Sequence, residues 1–178
     1  MIPVGMITTE TTQTSATIVG HKETMVDWLE GENFGVKDID IEELRENIQE
    51  TFRKCEHEED RDLGIYIEEA YIVGSVARND ASKGMSDVDI VLQFASEDVG
   101  NMDPRYDLAT THVAKCMEDN WESIATPNMM KWITSIDIIS AKGDNMADLV
   151  WRFGQDTRTG ERFDSGYIYD IMENEYRR

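Results

Sequence analysis

The sequence predicts a single domain of the α/β or α+β class, and two observations support this. The chain has 178 residues, about the length of one domain, and 40% of them are hydrophobic, which is enough for a sizeable core. Apolar patterns follow one another in the order helix, strand, strand, helix, strand, without a repeat or a linker. We therefore expect one domain over residues 36–178. A polar N-terminal arm, residues 1–35, precedes it and is either mobile or adds an edge strand.

Two strong helices are predicted from apolar residues at helical spacing. The first follows a capping aspartate, either Asp38 or Asp40. Its apolar face consists of Ile41, Leu44, Ile48, Phe52 and Cys55. The second begins at Asp103, with Pro104 in its first turn. Its buried face consists of Val113, Cys116, Met117, Trp121 and Ile124. Shorter helices are expected at 25–31 and 144–153, and an amphipathic piece ends the chain.

Three strands are predicted, at 67–75, 86–94 and 131–141. Successive side chains of a strand point to opposite faces, so the second strand has two different faces. The face that can pack on helices carries Val88, Ile90, Leu92 and Phe94. The opposite face carries Asp87, Asp89, Val91 and Gln93.

The charge of the chain is strongly negative. The 37 acidic and 17 basic residues give a net charge of −20 and a pI near 4.3. Only seven of the basic residues are Lys, against ten Arg. An acidic surface with few lysines is typical of a halophilic organism, in which high salt screens the self-repulsion. An ordinary acidic protein is the alternative.

The sequence predicts a cytoplasmic protein. It has no run of 18 apolar residues that could span a membrane, and its N-terminus lacks the basic and apolar regions of a secretory signal. Cys55 and Cys116 have no partner at metal-ligand spacing, so we expect two reduced thiols in the core and no zinc site.

Asp87 and Asp89 predict a metal site. Two carboxylates on one face of a strand repel each other unless a cation lies between them. Mg²⁺, bound by one or two carboxylates together with substrate phosphates, suits such a pair best. A strand edge whose aspartates face water is the alternative, and an Asp-x-Asp pattern by itself favours that alternative.

The Gly-Ser pair thirteen positions before Asp87 favours the metal site. Gly74 follows an apolar run, where the lack of a side chain lets backbone N–H groups approach a phosphate. Ser75 adds a hydroxyl donor, and Arg78 and Lys83 lie in the connection to the second strand. Together these residues predict a phosphate-binding turn joined to a metal pair.

In the stretch "GSVARNDASKGMSDVDIVL", residues 74–92, the sequence resembles the DNA polymerase β-like nucleotidyltransferase superfamily, and most closely its minimal nucleotidyltransferases. The residues that match the pattern of that group are Gly74, Ser75, Ala77, Arg78, Asp80, Ala81, Ser86, Asp87 and Asp89. Asn79 replaces the usual glycine, a mild departure because Asn tolerates left-handed backbone. The connection is also about one residue longer than the commonest form.

The resemblance implies a mixed β-sheet flanked by helices, with a third carboxylate on a later strand. Asp137 lies in an apolar run where a charge has no packing role, and it is the expected third ligand. By alternation it shares a face with Ile133, Ser135 and Ile139. Glu68 and Glu69 are the fallback. In such a site Asp87, Asp89 and Asp137 would hold two Mg²⁺ ions, or Mn²⁺, and act in catalysis, while Gly74, Ser75, Arg78 and Lys83 would bind the nucleotide.

The activity that the resemblance implies is transfer of an NMP, AMP first, from an NTP to a hydroxyl group with release of pyrophosphate. A surface at −20 is a poor match for a phosphate backbone, which favours a small-molecule or protein acceptor over RNA. A different class of function also remains open. The chain would then be an antitoxin-like binding module that caps a toxin partner, with or without nucleotidylation of a protein.

Overall fold

A computed structural model describes residues 33–57, 63–82, 84–98, 100, 103–141, 146–155, 159–163 and 166–177; for 146–149 it describes the backbone alone. The helix predicted at 25–31 and most of the predicted N-terminal arm lie outside these residues. Of the arm, Phe34 is buried and pairs with Ala81 through two backbone hydrogen bonds of 2.9 and 3.1 Å. No described helix has both the length and the apolar character needed to cross a bilayer.

The described strands form one mixed sheet. In chain order they are β1 (Ile65–Val73), β2 (Ser86–Ser96), β3 (Ile133–Ala141), β4 (Ile168–Asp170) and β5 (Glu175–Tyr176). In space the order is β3-β2-β1-β4-β5, and only β2 and β3 run parallel to each other. The α/β prediction is confirmed, and the final amphipathic piece supplies two short strands that the sequence pattern did not predict.

The described helices are α1 (Ile41–Cys55), α2 (Gly74–Ala77), α3 (Pro104–Asp119), α4 (Trp121–Ile124) and α5 (Met146–Phe153). Of the two candidate caps of α1, Asp40 is the one that accepts a hydrogen bond from a first-turn N–H, that of Glu43, at 3.1 Å. Asp103 caps α3 by accepting from the N–H of Arg105, with Pro104 in the first turn. Both predicted helix starts are therefore confirmed.

The main core lies between one face of the sheet and the helices. Val88, Ile90, Leu92 and Phe94 of β2 pack there, as alternation predicts. They join the apolar residues of α1 and α3, among them Leu44, Ile48, Phe52, Val113 and Met117. The opposite face of the sheet carries a smaller apolar cluster of Tyr71, Val73, Val91 and Ile168.

Strand β3 contains an irregularity that alternation cannot foresee. Ser86 pairs with Ile133, but Val88, two residues on, pairs with Ile136, three residues on, so β3 holds one extra residue there. The extra residue reverses the alternation, and Ile133 is buried in the main core together with Ile136. The prediction that Ile133 shares the face of Asp137 was therefore wrong.

The prediction of two reduced thiols was also wrong. Cys55 and Cys116 form a disulfide, with Cα atoms 5.6 Å apart and no free cysteine in the chain. Cys55 ends α1 and Cys116 lies near the end of α3. Because these helices pack against each other, residues separated by 61 positions become neighbours. The sequence shows that both residues are apolar-face positions, but not that the two faces meet.

We expect the disulfide to stabilise the domain, because it closes a long loop in the unfolded chain. Replacing both cysteines by Ser should cost about 2–4 kcal/mol of unfolding free energy, measured by denaturant titration under non-reducing conditions. Protein purified without reductant should show no thiol that reacts after denaturation. Two reactive thiols in that assay would contradict the bond.

Candidate active site

The pairing of β2 with β3 places the predicted acids side by side. Asp89 and Asp137 are partners in the parallel register, and Asp87 lies two residues before Asp89 on the same strand. Asp89 is half-buried, whereas Asp87 and Asp137 are exposed. Asp137, 48 positions after Asp89 in the sequence, thus lies beside the Asp87 and Asp89 pair at one end of the sheet.

The three carboxyl groups act on one another electrostatically. Burial, with the charges of Asp87 and Asp137 as further causes, raises the pKa of Asp89 to about 6. Burial and the negative charges of Asp87 and Glu118 raise the pKa of Asp137. Without a cation, this end of the sheet therefore carries carboxylates whose charged forms are disfavoured.

The types of these residues fit a hard divalent cation, since carboxylate oxygens are the ligands that Mg²⁺ and Mn²⁺ take. Within the described part of the chain, however, no three Asp, Glu, His or Cys side chains converge closely enough to hold a metal ion. The backbone brings Asp87, Asp89 and Asp137 together, and the convergence of their carboxylates on one ion stays a prediction.

Gly74 lies directly against Asp89. Val73 pairs with Asp89 across the β1–β2 ladder, and a Cβ on Gly74 would fall 2.7 Å from Asp89 Oδ2. Gly74 also has φ +74°, a conformation that other residues rarely adopt. Glycine is thus favoured here for two reasons, because a side chain would both strain the backbone and clash with the carboxylate of Asp89.

The segment after Gly74 forms the short helix α2 rather than the end of a strand, so the predicted strand at 67–75 stops at Val73. Ser75 is in the first turn of α2, next to Gly74. Asn79, the departure from the family pattern, has φ +59°, so the left-handed backbone expected there is confirmed. Its side chain fixes the turn by accepting from the N–H of Lys37 and donating to the hydroxyl of Tyr176, at 3.3 and 2.8 Å.

Arg78 lies near the acids, and its charge is one of those that lower the pKa of Asp89. Its Nε donates to Asp80 at 3.1 Å, and its guanidinium carbon lies 4.5 Å from the centre of the Phe163 ring. Lys83, the other basic residue predicted to bind nucleotide, lies outside the described residues.

Glu68 and Glu69 do not lie beside Asp89. Glu68 accepts a hydrogen bond from Gln93 at 3.2 Å, and Glu69 accepts one from the hydroxyl of Tyr71. Gln93 is four residues from Asp89 along β2, about 13 Å at the usual rise of a strand. Asp137 therefore remains the third acid that the geometry favours.

Arg152 is a residue that sequence reasoning missed. It lies in the last turn of α5, and its positive charge is a larger cause than that of Arg78 in lowering the pKa of Asp89. The sequence of residues 144–153 shows only a short amphipathic pattern, and such a pattern does not indicate which face of the sheet α5 covers. A lone arginine between Trp151 and Phe153, in a chain so poor in basic residues, was the available signal.

Comparison with known proteins finds one family for part of the chain. Residues 53–129 match the family model described as "Nucleotidyltransferase domain". This segment, 77 of the 178 residues, is similar to nucleotidyltransferase domains. No curated protein and no solved structure matches the chain.

The nucleotidyltransferase segment contains β1, Gly74, Ser75, Asp87 and Asp89, and it ends before β3. Asp137 thus lies beyond the matched residues, and its place in the site rests on the pairing of β3 with β2. The resemblance to the polymerase β-like superfamily is confirmed. It indicates a transferase that moves a nucleoside monophosphate from an NTP.

We expect Asp89 to make the metal-free protein less stable as the pH rises through about 6. The carboxyl titrates near 3.8 when unperturbed and near 6 in the folded protein, so between these values the folded state holds a proton that the unfolded chain has lost. Its stabilising contribution is complete below about pH 4 and disappears above about 6.

Melting temperatures measured in EDTA from pH 4 to 7.5 test this. The melting temperature of Asp89→Asn should fall less steeply with rising pH than that of the unmodified protein. Glu122→Gln removes one negative charge at an exposed position of α4 and serves as the control. Parallel curves for Asp89→Asn and the unmodified protein would contradict the assignment.

Proposed function

We propose that this protein is a divalent-metal-dependent nucleotidyltransferase that transfers an NMP group, AMP first, from an NTP to a hydroxyl acceptor. The observation that carries the proposal is the contact of two features at one point of the sheet. Gly74 lies against the carboxylate of Asp89, where a Cβ would fall 2.7 Å from Oδ2, and Asp89 is the register partner of Asp137. A phosphate-binding turn and a group of acids thus meet where phosphoryl chemistry needs both.

Asp87, Asp89 and Asp137 would hold the ion, Mg²⁺ or Mn²⁺. When bound, such an ion neutralises phosphate charge and makes an acceptor hydroxyl more acidic. The residue types fit this role because they offer carboxylate oxygens alone. Burial and neighbouring negative charges raise the pKa values of Asp89 and Asp137, and a nearby cation would offset these causes.

The protein groups have separate tasks. The backbone and hydroxyl of Ser75, beside Gly74, bind phosphate oxygens, and Arg78 adds a positive charge. The acceptor oxygen attacks the α-phosphorus, a new P–O bond forms, and the bond to the β-phosphate oxygen breaks, so pyrophosphate leaves. An oxygen of the Asp137 carboxylate receives the hydroxyl proton.

The acceptor is a small molecule or a protein side chain rather than RNA. A net charge of −20 repels a polyanion, whereas one nucleotide can be bound by a few local positive charges.

Metal-dependent NTP binding tests the proposal without knowledge of the acceptor. Calorimetric titration of ATP should show binding in Mn²⁺ and little in EDTA, and Asp87→Asn and Asp89→Asn should each weaken it at least tenfold. With α-labelled NTP and a panel of hydroxyl compounds and proteins, transfer should fall at least about 100-fold in these variants and in Asp137→Asn.

Glu122→Gln is the matched control, because it removes one negative charge at an exposed position of α4. It should leave both binding and transfer unchanged. If the unmodified protein binds no NTP in Mg²⁺ or Mn²⁺, or if the Asp87 and Asp89 variants behave as the control does, the proposed function is wrong.

A further inference from the structure

Arginine and aromatic side chains contact one another at the border of the acid-bearing face. Arg78 lies over the ring of Phe163 at 4.5 Å, and Arg162 lies over the ring of Trp151 at 5.2 Å. Arg152 is the residue next to Trp151 on α5. These five residues are called the arginine–aromatic surface below.

Several contacts fix this surface beside the acids. Phe153, the neighbour of Arg152, packs on the small apolar cluster that contains Val73 and Val91. Val73 is the register partner of Asp89, and Val91 follows Asp89 on the same face of β2. The end of α5 therefore lies over the sheet face that carries Asp87 and Asp89.

The segment that carries Arg162 and Phe163 is attached to the same helix end. The N–H of Phe163 donates to the carbonyl of Gly154 at 2.9 Å, and Arg162 forms a β-bridge with Gln155. Trp151 and Phe163 thus both lie at the end of α5. Arg78, at the end of α2, contacts the ring of Phe163.

Two arginines of this surface, Arg152 and Arg162, form no close ion pair with another described residue. Elsewhere arginines pair closely with acids, as Arg105 does with Asp103 at 2.7 Å and Arg177 with Asp170 at 2.6 Å. Among the described residues Arg152 and Arg162 are exposed, and the partner that each contacts is an aromatic ring rather than an acid. In a chain with a net charge of −20, two guanidinium groups without a close acidic partner among the described residues provide a local attraction for an anion.

Trp151 adds an apolar element to this surface. Its side chain is 61% exposed, although an exposed indole is unfavourable in water and Arg162 covers part of it. A guanidinium group that binds phosphate and a flat ring that stacks on a base are the two contacts a nucleotide requires.

We propose that the arginine–aromatic surface binds the NTP of the transfer reaction, with Arg152 and Arg78 on the phosphates and Trp151 against the base. This inference rests on the proposed function and assigns to that site residues from α5 that lie beyond the matched nucleotidyltransferase segment.

Separate ligands for the two halves of the nucleotide test the assignment. Arg152→Met keeps an unbranched apolar stem and removes the charge. In Mg²⁺ it should weaken the binding of ATP about 10- to 100-fold, as expected for loss of a charged hydrogen bond. The binding of tripolyphosphate should weaken to a similar degree, and that of adenosine should not change. Trp151→Ala should weaken the binding of adenosine and of ATP but not that of tripolyphosphate. Arg152→Lys should recover part of the lost tripolyphosphate affinity.

Arg53→Met is the matched control, because Arg53 is an exposed arginine of α1, which packs on the opposite face of the sheet. Affinities are measured by calorimetry, and circular dichroism verifies that each variant is folded. If the unmodified protein binds ATP and Arg152→Met binds it as Arg53→Met does, this inference is wrong and the proposed function stands. If the unmodified protein binds no NTP at all, the proposed function fails and this inference fails with it. Should Arg152→Met not fold, Arg152→Gln replaces it with the same expected losses.

Discussion

The parallel pairing of β2 with β3 is the constraint on which the site depends. Parallel neighbours cannot be joined by a tight turn, and here α3 and α4 make the crossover between them. The pairing fixes Asp89 beside Asp137, and β1, antiparallel on the other side of β2, brings Val73 and then Gly74 to the same point. Three chain segments are thereby aligned by backbone hydrogen bonds rather than by the acids themselves, which repel one another.

In this arrangement one face of the sheet packs the main core, and the opposite face carries the acids. Nearly all of the apolar burial lies on the face that packs against α1 and α3, and the disulfide between Cys55 and Cys116 joins those two helices. The opposite face can therefore carry acids with raised pKa values, because the main core does not depend on it. Arg78 and Arg152 offset part of the repulsion at Asp89. The repulsion that these two arginines do not offset would favour binding of the proposed cation, and with it the nucleotide.

Local patterns predicted much of this structure. Alternation assigned the two faces of β2, the capping positions of α1 and α3 are among those expected, and Asn79 takes the left-handed backbone that its place in the motif requires. Each of these features depends on residues close in sequence. The prediction that Asp137 belongs with Asp89 came from the resemblance, and the register of β3 places the two residues side by side.

The features that sequence reasoning missed depend on contacts between distant segments. Nothing near Cys55 or Cys116 indicates that α1 and α3 meet, and the extra residue in β3 that turns Ile133 into the core follows from its pairing with β2. Arg152 was missed for the same kind of reason, since a helical pattern does not specify the sheet face on which α5 lies.

The central claim is that Asp87, Asp89 and Asp137 bind one group of divalent cations beside Gly74. A crystal structure with Mn²⁺ and a non-hydrolysable ATP analogue tests it most directly, because Mn²⁺ is located by its anomalous scattering. The account predicts Mn²⁺ within about 2.2 Å of oxygens from all three aspartates and in contact with the phosphates. Mn²⁺ bound elsewhere, or a site that Asp137 does not reach, would contradict it.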